Sequence, residues 1–365
     1  MRRYRPHLFG LMRVPGLSID GFPSATLSNE DQVPLRQWAF QYCGFAPSFI
    51  KAAKQSNALL VHAHFAIDGA ECLPIAEKLG VPLIVTLHGW DVCTDDNIFR
   101  KSRSGRRFLA RRPRLQRVAS LFICVSEFIK EQALQRGFPE SKLRVLYIGV
   151  DTERLSPPPL PKPDKEDVVL FVGRLVEKKG LSYLLRAMPA VSAACPNVRL
   201  VVIGDGPLRR QHEEEASRFG VRCDFLGAQP PELVHHWMRR SKTFVLPSIR
   251  AGSGDCEGLG IVLCEAFALG TAAVGFASGG IPEAIVDGAG LLAPEKDYQE
   301  LADQITATLS DDVFRAHLNA RAREHVVKKF NLEVQTGKLE RIYDEVLSSA
   351  SGVRNESSFA SIRTQ

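Results

Sequence analysis

Short runs in which nearly every residue is apolar recur along this 365-residue chain, each separated from the next by a stretch of helical periodicity. Leu59 to Ala63, Val81 to Leu87, Leu121 to Val125 and Leu143 to Ile148 are such runs, with helical stretches at Gly69 to Leu79 and Glu127 to Gln135. A strand exposed on one face must alternate apolar and polar residues. A run without alternation belongs to a parallel strand covered by helices on both faces. The pattern stops at Asp151 to Asp167, where Pro157, Pro158, Pro159, Pro161 and Pro163 make a stiff, extended connector. It then restarts, with strands expected at Val168 to Val172, Val198 to Ile203, Val221 to Leu226, Thr243 to Pro247 and Ala272 to Phe276. Helices are expected at Leu181 to Ala194, Leu208 to Phe219 and Glu232 to Arg239. The fold class is therefore α/β, with two Rossmann-like halves in tandem and ligands bound in the cleft between them.

Composition excludes several other classes. With 45% hydrophobic and 24% charged residues the chain is of ordinary globular type, long enough for two domains of roughly 150 to 180 residues. No apolar run reaches the roughly 20 residues of a transmembrane helix, and Met1 to Gly10 is not followed by a signal-peptide core. The 8 cysteines form no C-x-x-C pair, so neither a disulfide framework nor a zinc site is suggested. A cytoplasmic protein without an export signal is expected.

The formal charge of +6 is carried by the N-terminal half. Most of it comes from Arg100, Lys101, Arg103, Arg106, Arg107, Arg111, Arg112, Arg114 and Arg117, with no acidic residue between them. Such a face suits an anionic membrane surface or a phosphorylated acceptor, and equally a solvated helix. Nucleic acid fits poorly, because only Phe108 interrupts the run with an aromatic ring and no recognition-helix or RNA-binding signature occurs.

Chemistry-bearing residues gather where strands should end. In Glu257-Gly-Leu-Gly260-Ile-Val-Leu-Cys-Glu265-Ala-Phe-Ala-Leu-Gly270, glycines open and close a helical pattern, and Glu265 lies about two turns beyond Glu257 at roughly 3.6 residues per turn. Free N–H groups and the dipole at such a helix start attract phosphate, while carboxylates accept hydrogen bonds from hydroxyls. A sugar joined to a ribose by a diphosphate carries both groups, although an ordinary amphipathic helix would look the same. Arg174 and Lys179, in Gly173-Arg-Leu-Val-Glu-Lys-Lys-Gly180, follow the first strand of the second half, where two cations suit a pyrophosphate leaving group. In the first half His88 and Asp91 follow a strand, and the carboxylate is placed to fix the tautomer of the ring. His62 and His64 share one strand face, but no third ligand of matching spacing is visible, so no metal is expected.

Taken together, Glu257-Gly-Leu-Gly with Glu265, Gly173-Arg174 with Lys179-Gly180, Gly204-Asp-Gly-Pro207, His88-Gly-x-Asp91, His62-x-His64-Phe65, Ile148-Gly-Val-Asp151 and Ser278-Gly-Gly-Ile-Pro-Glu283 resemble the motif set of the family 4 retaining glycosyltransferases, which have the GT-B fold. The resemblance spans roughly residues 58 to 349. The His-Ala-His-Phe and Gly-Asp-Cys-Glu-Gly phrasing is most similar to bacterial enzymes of exopolysaccharide or colanic acid type. The resemblance implies a nucleotide-sugar donor, a glycan or polyprenyl-linked acceptor and no metal or other cofactor. Arg174 and Lys179 would hold the diphosphate with the N–H groups of Gly260, Ile261 and Val262. Glu257 would bond the donor sugar, Glu265 the ribose, and His88 the donor sugar in the transition state. Gly258, Gly173 and Asp91 belong to the same donor-binding set, and Glu283 would be mainly structural.

The expected division is residues 1–156 for an acceptor-side domain, 157–330 for a nucleotide-sugar domain, 331–349 for a helix packing back toward the first domain, and 350–365 for a disordered tail. Members of the family usually open with a strand and a Gly-Gly loop. None is recognisable before Ala58, so the N-terminus is expected to be shortened by about one βα unit, roughly 30 to 40 residues. That departure leaves open a non-catalytic binder of sugar nucleotides or of a partner enzyme. A sugar-nucleotide epimerase is a further alternative.

Overall fold

The continuous apolar runs form the interiors of two parallel sheets in the computed structural model, which describes residues 3–10, 23–26, 39–40, 46–157, 165–286 and 288–362. Strands β1 (Leu8–Gly10) and β2 (Ser24–Thr26) pair with each other. The first large sheet has β3 (Val61–His64), β4 (Leu83–Leu87), β5 (Leu121–Cys124) and β6 (Leu143–Val145) in chain order. The second sheet contains β7 (Glu166–Val172), β8 (Arg199–Ile203), β9 (Cys223–Gly227), β10 (Ser241–Leu246), β11 (Ala273–Phe276) and β12 (Gly290–Ala293). Its spatial order is β12-β11-β10-β7-β8-β9, so the chain reverses direction across the sheet between β7 and β10.

Burial on both faces explains why no alternation was visible. Val85, Leu87, Phe122 and Cys124 pack on one side of the first sheet with Phe108 and Leu115 of the helix Arg103–Val118. Ile84 and Ile123, on the other side, pack against Leu339, Ile342 and Tyr343 of the last helix. The second sheet repeats the scheme. Val169, Phe171 and Val245 meet Leu184 and Leu185, while Leu170, Phe244 and Leu246 meet Leu263 and Phe267.

The two sheets are tied where the chain crosses between them. Val150 bridges Asn331 in parallel, and Val150 N donates to Phe330 O at 2.7 Å, so the outgoing and returning crossings lie side by side. Arg323 fastens both to the second sheet's helices, donating to Thr152 O, Leu155 O and Ala268 O at 2.7–2.8 Å. The returning helix Leu332–Ile362 then crosses the first half. Its Glu340 and Asp344 accept from Arg3, and Asp344 also accepts from the Tyr4 hydroxyl.

Strand β12 and the helices Tyr298–Ser310 and Asp312–Lys329 were not expected from the sequence. The backbone of 350–362 continues the last helix rather than leaving it as a polar tail. No proline interrupts this stretch, so once its first turns are anchored the hydrogen-bond ladder can propagate. Residues 158–164, with most of the expected proline connector, lie outside the described residues, as do 363–365. The expected N-terminal shortening falls on 1–57, of which 1–2, 11–22, 27–38 and 41–45 also lie outside them.

Candidate active site

Because β7 and β10 are hydrogen-bonded neighbours at the reversal of strand order, the loops leaving their carboxyl ends must meet. They bring a cation and a carboxylate together. Lys179 Nζ, from the loop after β7, lies 2.5 Å from Glu257 Oε2, from the loop after β10. Ser248 Oγ approaches the same oxygen at 3.4 Å. Burial raises the Glu257 carboxyl, but the Lys179 ammonium outweighs it and holds the group below the usual carboxylate range. Lys178 pairs with Asp255 at 3.1 Å beside it. Arg174 stays exposed in the cleft, with Gly173 packed against the Lys179 methylenes.

The helix Ile261–Ala268 starts just beyond this pair. Its N-cap is Gly260 at φ 79°, a left-handed conformation that disfavours a side chain, and no side chain caps the helix. The first N–H groups, including those of Ile261 and Val262, have no partner within a helix. Glu265 is partly buried in the second turn, and burial raises its carboxyl.

Gly258 is where the halves touch. A Cβ there would lie 2.2 Å from His88 O, so only glycine permits this approach. Ser126 Oγ of the first half donates to Gly258 O at 2.7 Å. Glu283 accepts from Glu127 N and Phe128 N at 2.9 and 2.8 Å, so a carboxylate of the second half caps a helix of the first. The Tyr147 hydroxyl donates to it as well, at 2.9 Å.

The opposing wall is built from β3 and β4, whose register sets His64 beside Thr86 and brings His88 next to it. His88 Nε2 lies 3.0 Å from His64 Nδ1, and the two rings stack at 5.2 Å. His64 stacks in turn on His62 at 4.9 Å. His62 Nδ1 meets the Tyr343 hydroxyl at 2.6 Å and His62 Nε2 meets Thr86 Oγ1 at 2.7 Å. Burial, with smaller repulsion among the rings, lowers His62 to about 3 and His88 to about 4, so this row is neutral at physiological pH. Phe65, at φ 68° and ψ 143°, is a rare non-glycine residue in a left-handed conformation, and its ring lies 4.7 Å from His88. Phe65, Asp68 and Trp90 line the cleft, of about 610 Å³, opposite Arg174, Lys178 and Lys179.

Asp91 requires a correction. It is 1% exposed, and its oxygens accept from Ala66 N at 2.7 Å and Gly89 N at 3.1 Å. It therefore fixes the loop that carries His88, neither orienting the ring nor reaching a ligand, because the start of the helix Ala66–Leu79 offered it backbone donors that sequence spacing could not show. His64, weighed and set aside from sequence as a metal ligand and otherwise only part of the His-x-His-Phe phrase, is the group His88 Nε2 meets. Among the described residues no three His, Cys, Asp or Glu side chains are arranged to hold a metal ion. Phe65 was visible in the His-x-His-Phe phrase, whereas nothing in the sequence marked Asp68, Trp90 or Tyr343 as neighbours of the cleft or of this row.

Part of the basic stretch is spent on the fold. Arg107 pairs with Glu71 at 2.7 Å, Arg112 with Asp96 and Arg114 with Glu77 at 2.8 Å. Outside those pairs Arg100, Lys101, Arg103, Arg106 and Arg117 are exposed. No helix among the described residues is long and apolar enough to cross a membrane.

Two facing parallel α/β sheets, with a phosphate-ready helix start on one wall of the cleft and a histidine on the other, define a glycosyltransferase of the GT-B fold. Residues 153–325 match the family model for glycosyl transferases group 1 and residues 24–154 that for glycosyltransferase family 4, and the chain belongs to this family. The Escherichia coli (strain K12) protein WcaL, whose name places it provisionally in colanic acid biosynthesis, is 29% identical over 74% of this chain and 67% of its own length. The Erwinia amylovora amylovoran biosynthesis glycosyltransferase AmsK is 28% identical over 82% of this chain and 74% of its own. A GDP-mannose-dependent mannosyltransferase of Corynebacterium glutamicum acting on a monoacylated phosphatidylinositol monomannoside is 31% identical, over 53% of this chain and 54% of its own. Among solved structures, Anabaena HepE in complex with UDP and glucose has a TM-score of 0.71 at 21% identity, covering 88% of this chain and 86% of that one.

Proposed function

We propose that this glycosyltransferase moves a sugar from a nucleotide-sugar donor to a glycan or polyprenyl-linked acceptor in exopolysaccharide biosynthesis, with retention at the anomeric carbon. The observation that carries the reading is the Lys179–Glu257 pair beside an uncapped helix start, in the loop whose Gly258 packs against the His88 backbone. An incoming diphosphate competes for the Lys179 ammonium. As Lys179 exchanges one anion for another, the Glu257 carboxylate is freed to accept from donor-sugar hydroxyls. Arg174 and the N–H groups of Gly260, Ile261 and Val262 complete the anion site, and Glu265 accepts from the ribose. Positive charge sufficient for the leaving diphosphate comes from these groups, so no bridging metal is required.

In transfer, the bond from the anomeric carbon to the leaving phosphate oxygen breaks as the acceptor oxygen adds on the same face. The acceptor proton passes to that phosphate oxygen. Configuration is retained and no protein base is consumed. His88, neutral because it is buried, bonds the donor sugar without adding charge. The protein works in the cytoplasm at the inner face of the membrane, held through Lys101, Arg103, Arg106 and Arg117.

Nucleotide release from UDP-, GDP- and ADP-sugars, with NMR of the product anomer, tests the reading. Lys179→Ala and Glu265→Ala should each abolish turnover of the accepted donor. Unchanged turnover in both would remove the site assignment, and an inverted product would remove retention. Co-sedimentation with anionic vesicles should weaken when these four cations are neutralised, and salt-insensitive binding would remove the membrane contact.

A further inference from the structure

His88 packs against Phe65 of the cleft wall with one ring nitrogen already engaged. Its Nε2 lies 3.0 Å from His64 Nδ1, which leaves Nδ1 as the nitrogen open to a ligand. A neutral imidazole has one N–H and one bare nitrogen, so the proton shared in that contact decides what Nδ1 offers. If His64 donates, His88 Nδ1 carries a proton. If His88 donates, its Nδ1 is bare and accepts from a hydroxyl. Behind His64 the row continues by stacking onto His62, and His62 is held by Thr86 and by Tyr343 of the last helix. Tyr343 is buried, its ring set edge-on to Tyr4 at 5.2 Å. Three histidines in one row, two on β3 and the third just past the end of β4, exceed what holding β3 to β4 requires, because those strands are already paired through their backbones.

We propose that His64 is a positioning residue for sugar transfer: by engaging His88 Nε2 it confines His88 to one tautomer and presents Nδ1 to the donor sugar, with Tyr343 and His62 bracing the row from the C-terminal helix. This rests on the transferase reading above. The titratable neighbours of His88 are His64 and, through it, His62. Asp91 is spent on backbone N–H groups, and the second half meets the His88 backbone at Gly258.

Two measurements test it, one independent of activity. Imidazole ¹⁵N–¹H correlation spectra of the full chain should show His88 in a single tautomer in the wild type and in fast exchange between two in His64→Phe, which keeps the stack but removes the hydrogen bond. His88 remaining in one tautomer in that variant would overturn the proposal even if no donor is ever found. With an accepted nucleotide-sugar, His64→Phe should lower kcat roughly 100-fold with donor KM little changed, as expected for misplacement of a reacting group. His64→Gln, which can still bond Nε2, should recover most of the loss. In His64→Glu a carboxylate beside His88 favours the imidazolium and raises its pKa, so activity should fall at neutral pH and return as pH rises. Wild-type kcat in His64→Phe, or a pH profile unchanged in His64→Glu, would refute the positioning role. Failure of the wild type to turn over any nucleotide-sugar would refute the transferase reading alone.

Discussion

The two walls of the cleft come from the same βα architecture but are chemically opposite. On the second half, Arg174, Lys178, Lys179, Glu257 and Asp255 stand as ions, two of the cations already paired with carboxylates. On the first half His62, His64 and His88 stand neutral, flanked by Phe65 and Trp90, and the one carboxylate lining the cleft on that side, Asp68, is pushed up to about 6 by burial. Under the proposed reading the charged wall holds the diphosphate and the neutral wall the donor sugar. A diphosphate is a permanent anion and needs fixed positive charge. A sugar is neutral and needs hydrogen-bond partners rather than a fixed counter-charge. On the second half the charged groups come from the loops after β7 and β10, whereas on the first half His62 and His64 stand on β3 itself, a strand less covered than its neighbours, and only His88 comes from a loop, the one after β4.

The contrast can be broken most severely on the charged wall. Lys179→Ala strands Glu257, whose side chain is 14% exposed, without its cation. Loss of one partner from a buried pair costs about 3–5 kcal/mol, to be read as a drop in denaturant midpoint. The double variant Lys179→Ala with Glu257→Gln should regain most of that stability, because no charge is left unpaired, yet remain inactive. If the single variant is as stable as the wild type, the pair is not a buried ion pair.

Next comes the seam between the walls. Gly258→Leu drives a side chain into His88 O, where a Cβ alone would stand at 2.2 Å. It should cost about 1–3 kcal/mol as overpacking and abolish transfer by parting the halves, visible as a larger radius of gyration in solution scattering. An unchanged radius with full activity would show that the walls need not meet there.

The neutral wall is tested with pH. His62 has its folded-state pKa lowered to about 3, while in the unfolded chain it titrates near 6.5. Between those values the unfolded state binds the proton and the folded state does not. Stability from this group is therefore complete above about pH 6.5 and declines as pH falls toward about 3, by on the order of 1–2 kcal/mol at pH 5. His62→Asn should flatten that part of the urea-midpoint profile, and a profile identical to the wild type would exclude His62 as its source. The smallest effect belongs to the cap between the halves. Glu283→Gln should cost about 1 kcal/mol or less, since the amide oxygen still accepts from Glu127 N or Phe128 N but without charge.

Much of this organisation was legible without coordinates, for reasons that differ by region. Strands β4, β5, β7 and β8 were readable because doubly covered strands are apolar at nearly every interior position, with Thr86 the one exception in Leu83–Leu87 and Arg199 standing at the start of Arg199–Ile203. The helices Leu181–Ala194 and Glu127–Gln135 were read to the residue. The helix Asp312–Lys329 was missed because only Leu318, Ala322 and Val326 of its apolar residues are buried, along with Arg315, so its stripe is thin against a charged background. The basic run was seen but not its partners: Glu71, Glu77 and Asp96 are distant in sequence and adjacent only once the helices pack.

By itself the sequence determined what is local: which runs form covered strands, which glycines open a helix, and which side chains sit at strand ends. The tertiary structure alone decided how those side chains are spent. Lys179 and Glu257 are 78 positions apart and meet because their strands are neighbours at the reversal of the sheet. Asp91, three residues from His88, turns to the Ala66 backbone, and His64, 24 positions away, takes the ring nitrogen instead. Hydrogen-bond partners are chosen by distance in space, and in a parallel sheet the nearest neighbour in space lies one crossover away in the chain.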